Sequence, residues 1–282
     1  MSLAVEQHDT IVQRIRRIPI PALIGIAVIL VNAIVAIFAP FIAPYGEAEI
    51  VGLPYNPPDA VFLLGTDTLG RDMLSRIVYG ARNTIGIALL TTLLSFFLGA
   101  GAGFLAATVG GWVDQLLSRA VDVMISIPKL IFALMILSIV GASVPTMIVT
   151  IALLDSTRIF RLSRALAVNI SALDFVDVAR LRGESTFWIV RKEILPNVAA
   201  PLLAEFGLRF TFVFLFISSL GFLGLGIQPP AADWGSMVKD NSTLITFGSL
   251  AALMPALAIA MLALAVNFVI DWAVNLTSGL KD

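Results

Sequence analysis

The sequence predicts an all-α polytopic membrane protein with six transmembrane helices, and three observations carry that expectation. Of its 282 residues, 59% are hydrophobic and only 13% charged, against about 45–50% and 25% in an ordinary soluble domain. Six apolar segments recur along the chain, each near the roughly 20 residues needed to cross about 30 Å of hydrocarbon. The stretches between them are polar, basic or rich in proline. A water-soluble chain of this size could not hide so much apolar side chain without exposing large patches, so the bilayer is part of its solvent.

The first span lies in the charge-free run from Ile18 to Gly46, behind Arg14, Arg16 and Arg17. A cleaved signal has an apolar region of only about 7–15 residues, so this longer run reads as an uncleaved helix. The second lies between Asn83 and Val113. The third runs from about Leu117 to Val140 and carries Arg119, Asp122 and Lys129 toward its first half. The fourth covers Val144 to Leu166, the fifth Leu202 to Ile227 and the sixth Ser249 to Ala273. Residues 18–276 thus form the membrane domain, with tails at 1–17 and 277–282.

Basic residues orient the spans, because cytoplasmic connections hold the excess of Lys and Arg. With the N-terminus inside, the inner segments hold 13 of the 18 basic residues and the outer segments 4, with Arg209 inside the fifth span. Both termini are therefore expected in the cytoplasm.

Other chemistries lack their residues. The formal net charge of -1 gives no case for nucleic acid. There is no cysteine for a disulfide, thiolate or metal site, and the single histidine, His8, lies in the polar N-terminal tail. No Gly-Lys pair exists for a phosphate-cradling loop and no HExxH for a metalloprotease. A serine nucleophile would find no histidine base in the membrane. No catalytic residue, metal site or cofactor is expected.

Two connections are too long to be turns. The outer one, 44–82, opens with Pro54, Pro57 and Pro58 and continues GTDTLGRDMLSRIVYGAR. Thr66 and Asp67 can cap a short helix there. Its apolar stripe would be Met73, Leu74, Ile77, Val78 and Ala81, with Arg76, Tyr79 and Arg82 off it, lying along the outer membrane surface. Such a helix serves either packing or the docking of an outside partner. The inner connection, 167–200, reads as a helical hairpin: Phe175, Val178 and Ala179 form one face, Gly183 breaks the first helix, and an apolar pattern resumes until Pro196.

The hairpin sequence FVDVARLRGESTFWIVRKEILPN is similar to the cytoplasmic signature of ABC-importer permeases. Asp177 stands for the signature glutamate and Val178 for its first alanine; Ala179 and Gly183 match, Glu193 replaces an isoleucine, and Leu195-Pro196 closes the pattern. The segment from Gly65 to Arg82, with Gly65, Thr66, Asp67, Gly70, Arg71 and Asp72, resembles the outer-loop signature of the dipeptide/oligopeptide/nickel permeases, second subunit type. SLGFLGLGIQPPAADWGSMV resembles the same family's stretch at the end of the fifth helix, and Arg161 and Arg164 fit its paired arginines. Asn275 and Ser278 replace acidic residues usual in the family, while Asp271 matches.

The resemblance implies the type I ABC-importer permease fold in the bacterial inner membrane. It further implies a heterodimer with a second permease, two ATPase subunits that bind the ATP, and a periplasmic solute-binding protein. Asp177, Val178, Ala179, Gly183, Leu195 and Pro196 would then couple to the ATPases, and the Gly65–Asp72 residues would face the binding protein.

Charged residues inside spans keep a different class open, an ion-coupled secondary transporter. Asp155 is such a residue, eleven positions into the fourth span and so about 16 Å deep. Arg158 stands three residues on, and Glu205 and Arg209 are spaced i, i+4, so ion pairs along each helix are the expected arrangement. Asp155 and Arg158 are pathway candidates. Gly99 and Gly103, with Gly101 between them, make a GxxxG pattern for close helix packing. Gly224 and Gly226 serve either packing or a flexible outer gate.

Overall fold

A computed structural model describes residues 18–247 and 253–278. His8, the tail at 1–17, the start of the sixth span at Ser249 and residues 279–282 lie outside the described residues. The described elements are helices α1 (Ile20–Ile37), α2 (Ala39–Ile42), α3 (Met73–Val109), α4 (Gly111–Ser126), α5 (Lys129–Val140), α6 (Val144–Ser171), α7 (Asp174–Leu181), α8 (Thr186–Ile189), α9 (Leu195–Phe222), α10 (Trp234–Asp240) and α11 (Leu253–Ser278). A π-helical turn at Val190–Ile194 joins α8 to α9, and a 3₁₀ turn at Ser242–Phe247 follows α10. Among the described residues the extended backbone pairs only at two isolated bridges, Ile50 with Arg71 and Thr66 with Asp72.

Four helical stretches are long and apolar enough to cross a membrane: α1, α3, α8 through α9, and α11; α4 and α5 make a fifth if their bent pair is one span. The third span, expected from about Leu117 to Val140, falls on this pair, which turns through 88°. Ile127 is extended before Pro128 (φ -95, ψ 130), the conformation that proline's ring imposes on its predecessor. Helix α6 has 28 residues, about 42 Å. It carries Asp155, Arg158, Arg161 and Arg164, which make it less apolar than the other four.

Several expected boundaries move for local reasons. The helix expected on the outer surface is not separate: Met73 to Val109 is one 37-residue helix, about 55 Å long. Its cap is Asp72, not Thr66 or Asp67; the carboxylate accepts from the Ser75 N–H at 2.8 Å. With Arg76 buried, that end of the helix is wrapped by protein on more than its apolar stripe. The fifth span starts earlier than expected, because Pro196 sits in the first turn of α9 where its missing N–H costs nothing. It ends earlier too, at Phe222.

The helices close around α3 and α6, the most extensively paired elements. A Cβ on Gly99 would stand 2.5 Å from the Ser156 carbonyl oxygen, and one on Gly103 would stand 2.2 Å from Ser163 Oγ and 2.8 Å from the Phe160 oxygen. The GxxxG pair therefore packs inside the chain, and Gly101 faces open space. At the loop end of the bundle, Met73, Ile151, Phe214, Leu220 and Trp234 form one apolar core. At the hairpin end, Phe104, Ala167, Val176, Ile189 and Ile194 form a second.

Filling a contact this close forces backbones apart, at about 1–3 kcal/mol or more. Gly103→Leu is expected to lower the thermal midpoint of the detergent-solubilised protein by several degrees, and Gly101→Leu to leave it unchanged. Equal midpoints for the two variants would refute this packing.

Candidate functional site

Three arrangements carry chemistry: the hairpin, the loop end and a charged seam between them.

The hairpin is two-faced. Val176 and Ala179 of α7, with Ile189 and Ile194, point into the second core. The expected face of Phe175, Val178 and Ala179 is thus divided: Ala179 turns inward while Phe175 and Val178 are exposed, together with Leu181 (88%) and Phe187 (72%). Gly183 closes α7 in the left-handed region, φ 81, where it donates to the Arg180 oxygen at 2.9 Å while Glu184 N–H donates to Ala179 at 3.2 Å. These are the two bonds of a Schellman cap. A Cβ on Gly183 would meet nothing within 4 Å, so the turn presents itself to solvent. Ser185 caps the next helix by accepting from Trp188 N–H at 3.3 Å. Asp177 pairs with Arg180 at 3.2 Å on the exposed side, and Leu195 and Pro196 lie exposed at the start of α9.

At the loop end the Gly65–Asp72 residues fold inward. Asp67 accepts from the N–H groups of Leu69 (2.9 Å) and Arg71 (3.0 Å) and from Arg71 Nε (2.7 Å). Thr66 hydroxyl donates to the Leu53 oxygen at 2.6 Å. Gly70, at φ 79, lets the chain pass where a Cβ would lie 2.2 Å from the Gly52 oxygen. Arg76 reaches over to donate to Glu47 (3.3 Å) and Pro230 (3.0 Å) oxygens. Glu47 in turn accepts from Asn83 at 2.7 Å and from Ala232 N–H at 2.6 Å. Beside it the fully buried Asp233 accepts from Thr84 hydroxyl (3.0 Å) and Ser236 N–H (2.9 Å). Gly226 lies against Gly221, with no room for a Cβ between them, while Gly224 takes φ 86 beside Lys239.

Burial pushes the Asp233 carboxyl above the usual carboxylate range, although hydrogen bonds from Ser236 and Thr84 pull the other way. The folded protein thus holds this proton more tightly than the unfolded chain. The stability it contributes is fully present below the unfolded value, about pH 4, and is lost as pH rises through the raised folded value. Asp233→Asn is accordingly expected to flatten the decline of the thermal midpoint above about pH 4; an unchanged slope would count against it.

The seam runs between the α4–α5 pair and α6. Arg164 makes a bidentate pair with Asp114, Arg161 meets Asp122 at 2.7 Å, and Lys129 meets Asp155 at 2.8 Å. The partner of Asp155 is therefore Lys129 on another helix and not Arg158, which is exposed. The reason is reach: Lys129 opens α5 just past the Pro128 kink, which aims its side chain at α6. Its ammonium also lies 4.5 Å from the ring centre of Phe216. Along α9, Arg209 pairs with Glu205 at 2.5 Å as the i, i+4 spacing implied. Nothing in the local sequence marks the Asp114, Asp122 and Lys129 pairings, since their partners lie 26 to 50 residues away.

Removing one member of a buried pair strands the other charge, at about 3–5 kcal/mol, while replacing both is often neutral. Asp155→Asn is expected to lower the yield of monodisperse protein severalfold, and Lys129→Met with Asp155→Leu to restore most of it. Equal losses in the single and double variants would dissolve the pair.

Helices long and apolar enough for a bilayer, ion pairs between helices and an apolar hairpin exposed beyond their ends define a membrane-embedded helical protein. The comparisons with known proteins make this specific. Residues 99–278 match the family described as binding-protein-dependent transport system inner membrane component. Over 268 residues the chain is 35% identical to the di/tripeptide transport system permease protein DppC of Pseudomonas aeruginosa, covering 93% of this chain and 86% of that protein. It is 33% identical to the dipeptide permease DppC of Haemophilus influenzae, over 93% of this chain and 88% of that one. Against the glutathione transport system permease protein GsiD of Pectobacterium atrosepticum the identity is 30%, over 92% and 84%.

The chain belongs to this family of inner-membrane permease components. It is a multi-pass permease subunit of a binding-protein-dependent importer, and ATP hydrolysis resides in separate subunits. That membership sets the secondary transporter aside.

Proposed function

We propose that this chain forms half of an uptake pathway for short peptides. It would pair with a second, related permease, be driven by two ATPases and receive its solute from a periplasmic binding protein. The peptide class follows the relatives, whose names specify dipeptides, di/tripeptides and glutathione. Six spans result when α6, long enough at 28 residues, is added to the four apolar stretches and the bent pair. The excess of basic residues on the hairpin side supports a cytoplasmic position for that end and for both termini.

The observation that carries the coupling is the hairpin's divided surface. Its inner face is fixed to α3 and α6 through Phe104 and Ala167, so a displacement of the outer face is passed to the spans. The outer face exposes apolar Phe175, Val178, Leu181 and Phe187 beside Asp177, as suits a groove on an ATPase. At the opposite end the Gly65–Asp72 motif builds the loop from inside. The binding protein would meet what that loop turns outward, Leu53, Leu63 and Leu69.

Gly183 tests the hairpin. A non-glycine residue there costs about 1–2 kcal/mol in the left-handed region but meets no atom of the chain, so insertion and folding survive. Gly183→Trp is expected to reach the membrane normally, to lose most co-purifying ATPase and to abolish uptake, with Asp177→Ala showing a smaller loss. Normal co-purification and uptake in Gly183→Trp would refute coupling through this turn.

A further inference from the structure

Halfway through the bundle the charges do not balance. Arg158 is the fifteenth of the 28 residues of α6, and Arg209 the fifteenth of the 28 of α9. Two pairs are made at this level, Lys129 with Asp155 and Arg209 with Glu205. Among the described residues Arg158 makes no ion pair, and it is exposed. Three cations thus face two anions, a surplus of one positive charge. Lys129 reaches Asp155, one turn before Arg158 on α6, and lies against Phe216 of α9, the helix that carries Arg209. Arg209 Nη1, although buried, has no hydrogen-bond partner.

An exposed guanidinium halfway along a spanning helix is costly against hydrocarbon and instead marks a wet passage or a waiting anion. One turn along α6, the seam opens into a cavity of about 410 Å³ lined by Ser118, Asp122, Phe160, Arg161 and Arg164, room for on the order of ten waters. A second opening of about 690 Å³ adjoins Asp114, Gln115 and Arg119. Open volume with charged residues in its wall suits a passage better than a closed protein contact.

We propose that Arg158, backed by Lys129 and Arg209, is a carboxylate-recognition site in the transport pathway that takes the free C-terminal carboxylate of a passing peptide. The proposal rests on the peptide-permease reading above. A guanidinium offers two parallel N–H donors to a carboxylate. The neighbouring pairs leave the site net positive, so the anion gains there what it loses on leaving water. A single unpaired cation also holds its ligand loosely enough to release it, which a pathway requires.

The wild-type chain has no cysteine, so Arg158→Cys gives a single label site. In membranes holding the assembled transporter, Arg158→Cys is expected to react with both an anionic and a cationic methanethiosulfonate, and only the cationic adduct, which restores a positive charge, is expected to recover dipeptide uptake. Uptake of a dipeptide is expected to fall roughly tenfold in Arg158→Gln, the loss of one charge-assisted contact, and to recover largely in Arg158→Lys, with the second permease still co-purifying. Protection of Arg158→Cys from both reagents, wild-type uptake by Arg158→Gln, or loss of the second permease from Arg158→Gln would each overturn the site; the last would assign Arg158 to an acid of that subunit. Absence of peptide uptake by the wild-type assembly would instead sink the peptide reading itself.

Discussion

The backbone contact between α3 and α6 at Gly99 and Gly103 is the constraint on which the other parts depend. Lipid tails are as apolar as leucine, so helices in a bilayer gain little by hiding apolar surface from each other; close van der Waals contact does the work instead. Two glycines one turn apart allow it. Helix α3 carries the loop network at its first turns and the hairpin anchor Phe104 near its last, while α6 carries Asp155, Arg158, Arg161 and Arg164. Fixing one helix against the other therefore fixes both ends and the seam in a single frame.

The two ends solve opposite problems. At the loop end, irregular backbone must be satisfied without regular structure, and buried side chains supply the partners: Asp67, Glu47 and Asp233 accept from main-chain N–H groups that would otherwise be orphaned. Charged and polar residues there are structural, which explains why so many are buried. At the hairpin end the backbone is helical and capped, so its side chains are free to form a surface. Leu181 and Phe187 are exposed there, an apolar surface left to water. Between the ends, the 88° kink at Pro128 leaves α4 with no buried residue, joined to α6 chiefly through ion pairs. A helix held that way separates along a wet seam more readily than one held by a packed core.

Much of this was written in the sequence. Composition and run length determine a membrane-spanning helical chain, because about 20 apolar residues have no other stable solvent. The Gly183 turn and the packing role of Gly99 and Gly103 are legible because each depends on neighbours along one helix or on the backbone conformation of one residue. The Glu205–Arg209 pair is legible for the same reason, its spacing being one helical turn. What the tertiary structure alone decided is every partnership across helices. Asp155 chose Lys129 over the nearer Arg158, the apparent surface helix proved to be the start of α3, and the Gly65–Asp72 motif turned inward. Periodicity reports which side of a helix a residue occupies; it holds no information about what stands opposite, and a buried charge takes the partner that geometry brings within about 3 Å.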